Sequence, residues 1–285
     1  PDEVDAQRFD AICQWVKRWF NVLPLEEAAG RLRAGTLPAR PMAITFDDGY
    51  ADNRTQAVPI LQKHDLSATF FVATGFLDGG CMWNDVLIEA IRACQLPSLP
   101  LQGLVPGGSS LRLNTVEARR AAISILIKHA KYLPAEERLT FANVVSMRAE
   151  VKSPRHLMMT SAQVCELREM GMQVGAHTVS HPILRTLPRE EARREIEVSK
   201  QVLEGLLGAN VDLFAYPNGK PGEDYGPESV ELVREAGFKA AVSTQWGVST
   251  QRTDVFQLRR FTPWDRQGWR FGFRLWRNVA HGARD

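Results

Sequence analysis

A chain of 285 residues is long enough for one large α/β domain or two small ones, and either buries a substantial core. Hydrophobic residues make up 44% and charged residues 24%, and 35 basic against 33 acidic residues leave a net charge of +2, without the basic excess of a general nucleic-acid binder. No apolar run reaches the roughly eighteen residues of a membrane-spanning helix.

The chain opens Pro1-Asp2-Glu3-Val4-Asp5, with neither an initiator Met nor a signal-peptide pattern. Cys13, Cys81, Cys94 and Cys165 are scattered without a CxxC pair, so they read as free thiols and not as a disulfide framework or zinc knuckle. The expectation is a cytoplasmic protein, or one of the cell envelope if an export signal preceded Pro1.

In chain order, the first clear strand is 42–46, ending in Asp47-Asp48-Gly49-Tyr50. A helix over about 53–64 and a strand at 68–73 follow. Residues 75–171 are far too long for one crossover and contain helical patterns near 84–94, 117–131 and 135–149, plus a Gly/Pro/Ser loop at 103–110. This stretch reads as a helical insertion, about 78–158, and not as an independent domain. Then come a helix at 160–170, a strand at 173–176 and a helix at 188–207 that opens with Pro188, Glu190 and Glu191 as a helix N-terminus prefers. A strand at 213–216, a helix at 227–236 ending at Gly237, and strands at 240–243 and 256–258 complete the rhythm. Strands that are apolar throughout, alternating with helices, predict a parallel sheet covered by helices. The chain is read as one domain, residues 1–285, with a C-terminal tail at about 264–285.

Two motifs carry chemistry. Thr45-Phe46-Asp47-Asp48-Gly49-Tyr50 ends a strand in two adjacent carboxylates, at the carboxyl end where parallel α/β folds build their sites. Both acids ionise comfortably if a cation binds one and leaves the other as a base. The competing reading is an Asp-Asp-Gly turn capping the next helix. Gly175-Ala176-His177-Thr178-Val179-Ser180-His181-Pro182 also follows an apolar strand. Two imidazoles four residues apart can aim at one point, and two His with one carboxylate leave positions open for water and substrate.

Together these motifs resemble the polysaccharide deacetylases, the NodB-homology family that removes acetyl groups from N-acetylated sugars. The resemblance covers about residues 36–265 and includes Leu213-Phe214-Ala215-Tyr216-Pro217-Asn218-Gly219, similar to the family's groove-lining motif. It implies a distorted (β/α) barrel of about seven parallel strands. It also implies a divalent metal, zinc first, with cobalt, nickel or manganese as alternatives. Asp48, His177 and His181 map as its ligands, Asp47 as the catalytic base, and the Tyr216 backbone N–H as a donor to the oxyanion. The implied reaction is hydrolysis of the N-acetyl group of an N-acetylhexosamine in a polysaccharide or exopolysaccharide.

The family's general acid, a His after a Leu near the last strand, has no counterpart, since that region reads Phe256-Gln257-Leu258-Arg259-Arg260-Phe261-Thr262-Pro263. An Arg does not release a proton near neutrality. The departure resembles the exopolysaccharide deacetylases with a circularly permuted barrel, in which a Tyr-His strand precedes the Asp-Asp motif, and the expectation is an acid supplied upstream of Pro1. Arg259 or Arg260 is expected to orient Asp47 or a sugar hydroxyl. Tyr50 and Pro217, within the motifs, and Trp83 and Trp246, as stacking faces, complete the expected substrate contacts. His64, His129, His156 and His281 read as surface or core residues.

In the tail, Trp269, Phe273, Trp276 and Ala280 recur at helical spacing beside Arg266, Arg270, Arg274 and Arg277. This is either a terminal helix packed on the barrel or a basic amphipathic helix resting on an anionic membrane. Other functional readings are a deacylase of another amide, such as peptidoglycan, a lipid-linked sugar or a cyclic amide, and a non-catalytic glycan-binding domain on the same scaffold. No nucleic-acid partner is expected, and the sequence leaves the oligomeric state open.

Overall fold

The computed structural model describes residues 4–282 except 105–109, 132, 264 and 266. The chain forms two compact units, Pro1–Leu77 with Met159–Asp285, and Asp78–Met158. In the first, α1 (Ala6–Trp19) begins where the Asp5 carboxylate accepts the Arg8 N–H at 2.7 Å, an N-cap that satisfies a donor the helix cannot. β1 (Asn21–Val22) and α2 (Leu25–Ala34) follow. The chain then runs extended through β2 (Pro41–Met42) and β3 (Thr45–Phe46). This run pairs in parallel with β1 at its start and with β4 (Thr69–Val72) at its end. Between β3 and β4 a π-helical turn, Asn53–Ala57, leads into α3 (Val58–Lys63). Pro59 explains the widening, because it lacks an N–H and its ring crowds the carbonyl four residues back.

The second unit holds α4 (Trp83–Ala93), an antiparallel hairpin of β5 (Ser98–Pro100) and β6 (Ser110–Arg112), α5 (Val116–Ala130) and α6 (Ala135–Arg148). Its core is its own, around Leu87, Ile91, Leu99, Leu126 and Val145. The Arg119 guanidinium donates to the carbonyls of Ile91 and Cys94, satisfying the end of α4. Of the expected loop at 103–110, residues 105–109 lie outside the described residues.

Back in the first unit come α7 (Ser161–Glu169), β7 (Gln173–Ala176), α8 (Arg189–Leu207), β8 (Leu213–Ala215), α9 (Pro227–Glu235), β9 (Ala240–Trp246), β10 (Leu258–Arg260) and α10 (Gly268–Gly282). Six strands form one parallel sheet in the order β10-β9-β8-β7-β4-β3. Side-chain alternation along the strands separates two faces. Phe70, Val72, Phe214 and Ala241 pack with residues of α3, α7, α8 and α9. Phe71, Leu213, Ala215, Ala240, Val242 and Leu258 turn the other way and enclose Leu25 and Ala29 of α2. The sheet is therefore curled around its inner face, a half-barrel of the distorted (β/α) kind expected. Its edge strands β3 and β10 are joined by side chains: Arg260 reaches Thr45 at 3.4 Å, and Phe261 packs with Val22, Met42 and Ile44 against α1 and α10.

Candidate active site

Asp47 and Asp48 follow β3 directly, and backbone geometry sets their different directions. The Gly49 N–H donates to the Asp47 carbonyl at 2.9 Å across Asp48, whose φ is 75°. This is a γ-turn of the rare positive-φ kind. Gly49 itself sits at φ 91°, and a Cβ there would lie 3.1 Å from the Val72 side chain, so only glycine fits without strain. The turn throws the two neighbouring carboxylates to different partners.

His177 leaves β7, and His181 lies in a loop and not on a helix, with Thr178 at φ 64° and His181 at φ 54°. Segment 73–75 after β4 knits the two motifs together. The Ala73 N–H donates to the Asp48 carbonyl at 3.2 Å, and the Thr74 and Gly75 N–H groups donate to Thr178 and Val179 carbonyls at 3.2 and 2.8 Å. Asp48 Oδ1 consequently stands 3.4 Å from Nε2 of both His177 and His181. The three donor atoms all lie within 4.8 Å of one another.

This set fits a divalent transition ion. Donors each about 2.0–2.1 Å from a tetrahedral ion are about 3.3 Å apart, and the observed 3.4 Å separations match. His177 Nδ1 lies 2.7 Å from the Ala215 carbonyl, which fixes the tautomer with Nε2 free toward Asp48. Burial alone would lower the His177 pKa, but the hydrogen bond and charge of Asp48, with Asp47 behind, outweigh it and raise it. A pocket that draws positive charge between carboxylates and imidazoles is suited to a cation.

Asp47 faces the other way. Arg260, at the end of β10, donates from both terminal nitrogens to its two oxygens at 2.7 and 2.8 Å, while its Nε–H donates to the Ser243 carbonyl at 2.8 Å. Burial works to raise the Asp47 carboxyl, and the Arg260 charge, helped by the two imidazoles, overrides it and holds the pKa at about 2. A bidentate guanidinium fixes the plane of the carboxylate as well as its charge. Of the two arginines expected to orient Asp47, Arg260 does so.

The Tyr216 N–H, the expected oxyanion donor, faces the neighbouring strand. It donates to the Val242 carbonyl at 3.3 Å, so the sheet already uses the donor meant for the oxyanion. Pro217 has no N–H to offer. A second γ-turn, Gly219 N–H to the Pro217 carbonyl at 2.6 Å with Asn218 at φ 56°, follows immediately. Asn218 is exposed. Its backbone N–H is the first of this segment with no acceptor among the described residues. The Tyr216 ring is buried and stacks on Tyr225 at 3.9 Å.

The remaining expected contacts divide. Pro217 is buried and Tyr50 half-buried beside the Asp-Asp turn. Trp246 ends β9 half-exposed, against Phe261 at 5.4 Å. Trp83 belongs to the other unit, where the Arg138 guanidinium lies 5.1 Å from its ring. His64 is tied to Asp10 at 2.8 Å and His129 packs on Phe141 at 5.1 Å, His156 is exposed, and the side chain of His281 lies outside the described residues.

One residue escaped sequence reasoning. Glu195 of α8 accepts the Val179 N–H at 2.9 Å, the Ser180 N–H at 2.8 Å and the Ser180 hydroxyl at 2.7 Å. It thereby clamps the loop between His177 and His181. In sequence it is one acid among many on a charged helix, with no local signal. Glu195→Ala is expected to weaken zinc affinity about tenfold to a hundredfold, as loss of an outer-shell partner does, while helical content stays unchanged. Competition against a chromogenic chelator measures this, and equal affinities would remove Glu195 from the site's support.

A carboxylate and two imidazoles that could hold a metal ion, at the carboxyl ends of the strands of a curled parallel sheet and beside a second carboxylate held ionised, make a candidate site of the hydrolase class. Within that class the match is specific: the sequence profile of the polysaccharide deacetylase family covers residues 34–93 and 138–241, more than half the chain, and the chain belongs to this family. It is 20% identical over 259 residues to the putative polysaccharide deacetylase YxkH of Bacillus subtilis, covering 90% of this chain and 64% of that protein. The chain thus spans a little under two thirds of that relative. Among solved structures, the deacetylase PplD of Streptococcus pyogenes, in complex with acetate, shares the fold at TM-score 0.59 and 23% identity, over 90% of this chain and 80% of that one. IcaB of Ammonifex degensii does so at 0.59 and 18%, over 94% and 89%. A de-N-acetylase of Aggregatibacter actinomycetemcomitans does so at 0.55 and 13%, over 90% and 83%.

Proposed function

We propose that this chain is a metal-dependent N-deacetylase acting on N-acetylhexosamine residues of a polysaccharide or exopolysaccharide. The observation that carries the reading is the division of labour between adjacent acids. Asp48 completes a three-donor site with His177 and His181, while Asp47 stays ionised on Arg260. A binding domain has no use for that second carboxylate. Family membership supports the acetyl group as the target, and one protein of the same fold is a de-N-acetylase.

Asp48, His177 and His181 would hold the ion, zinc first by its preference for this donor set. Bound there, it supplies a water of lowered pKa and polarises the acetamide carbonyl. Asp47 accepts the proton of the attacking water, and Arg260 keeps both carboxylate oxygens in register for it. The Asn218 N–H, without an acceptor among the described residues, is a backbone donor of the kind that stabilises a carbonyl oxygen as it gains charge. The departing amine needs a proton; Arg260 does not give one, and Asp47, a carboxylate at rest with a pKa of about 2, can return to the nitrogen the proton it took from the water.

The test is acetate release from N-acetylglucosamine oligomers beside hydrolysis of a chromogenic acetate ester, after chelation and after zinc is restored. Zinc-dependent turnover of both establishes the deacetylase. Turnover of the ester alone places the chemistry here but the substrate elsewhere. Zinc binding with neither activity overturns the reading and leaves a glycan-binding scaffold.

A further inference from the structure

The outer face of α10 has no part in the site. Phe271, Leu275 and Asn278 point inward, with Phe271 tilted against Trp15 at 5.6 Å and stacked on Trp19 at 6.2 Å, both of α1, and the Asn278 amide donating to the Gly247 carbonyl at 3.1 Å. The helix comes close because Gly268 and Gly272, one turn apart, face those two indoles; a Cβ at Gly268 would lie 3.0 Å from Trp15. Trp269, Phe273, Trp276 and Val279 lie on the opposite side and each exposes half or more of its surface. At 100° per residue they form one stripe. Arg270 and Arg277, both exposed, run along one flank, and Arg274 turns back to Asp265 at 2.7 Å.

Charge decides what covers this stripe. Gly268–Gly282 contains three arginines and no acid, and the last turn of α1 carries Arg18 and Lys17, the latter paired with Asp65 at 3.1 Å. A second copy docking with α10 antiparallel across a twofold axis would bring the two arginine flanks to the same side with no carboxylate on the helix between them. An anionic bilayer surface satisfies both features. Indole and phenyl rings settle at the headgroup boundary, and arginines beside them meet lipid phosphates.

We propose that α10 lays this unit on an anionic lipid surface, with Trp269, Phe273 and Trp276 inserted and Arg270 and Arg277 on the headgroups. The inference stands apart from the deacetylase reading and is read out without activity. The experiment is flotation of the chain with phosphatidylcholine vesicles, with and without phosphatidylglycerol, followed also by tryptophan emission. The expected result is co-flotation with the phosphatidylglycerol vesicles, a blue shift, and release by salt. Arg270→Gln with Arg277→Gln is expected to weaken partition on the order of thirtyfold, at about fivefold per interfacial arginine. Trp269→Ser with Trp276→Ser is expected to abolish it, with melting temperature and zinc content unchanged. No co-flotation at low salt overturns the proposal. So does a dimer in sedimentation velocity that the tryptophan substitutions dissolve, since a second copy would then cover the face.

Discussion

Asp48→Ala is expected to leave the protein without stoichiometric zinc and to reduce deacetylation by about a thousandfold or more, the scale of losing the ion's several kcal/mol of transition-state stabilisation. The reason is positional. Asp48 Oδ1 is the atom 3.4 Å from both imidazole Nε2 atoms, and without it only two imidazoles would be left to hold the proposed ion. Because Asp48 sits at φ 75°, alanine also brings backbone strain of about 1 kcal/mol or more. Asp48→Asn is therefore the companion variant, since Asn tolerates that conformation and removes only the charge. Metal analysis after dialysis checks both. Zinc retained at one per chain in either variant would show that Asp48 is not a ligand.

Asp47→Asn separates the neighbouring acid from the metal. Zinc content is expected to stay at the parent level while kcat falls about a hundredfold to ten-thousandfold, the range for a lost general base. A variant that loses zinc as well would make Asp47 a ligand instead. Arg260→Gln probes the same group from the other side. Arg260 holds the Asp47 pKa down at about 2 against the pull of burial, from an ordinary value of 3.8. Removing the guanidinium lets the carboxyl climb, so the acidic limb of kcat/KM is expected to move to higher pH. The sign for stability follows. A pKa lower in the folded state contributes stability that is present above about pH 4 and lost as pH falls toward 2. The parent's excess stability over Arg260→Gln is accordingly expected to shrink across that window. Superimposable pH–activity profiles would show that Arg260 does not set the base.

Much of this was legible in the residues. The strand runs at 42–46, 68–73, 173–176 and 213–216 stand where β2 with β3, β4, β7 and β8 are found, because strands buried on both faces are apolar at nearly every position. Asp47, Asp48, His177 and His181 were legible because a strand end followed by carboxylates or paired imidazoles is a local pattern. By contrast α1, α2 and β1 went unread. α1 carries apolar residues at helical spacing (Phe9, Ile12, Cys13, Val16), as does the shorter α2 (Leu25, Ala29, Leu32), and β1 is only two residues long. What buries them is distant sequence: Phe271 and Leu275 for α1, and Phe71 and Leu213 for α2.

The sequence by itself determined the parallel α/β architecture, the family, and which side chains could meet at the strand edge. Those properties rest on periodicity and on short motifs, in which each residue's neighbours along the chain are enough. The tertiary structure alone decided which partners those side chains have. Arg260 is 213 positions from Asp47, yet the curl of the sheet brings β10 against β3. Glu195 earns its role only when α8 folds back over the 179–180 loop. The Tyr216 N–H meets the Val242 carbonyl because β9 lies beside β8. A hydrogen bond is a matter of a few ångströms and a direction, and no local pattern in a chain specifies either across such separations.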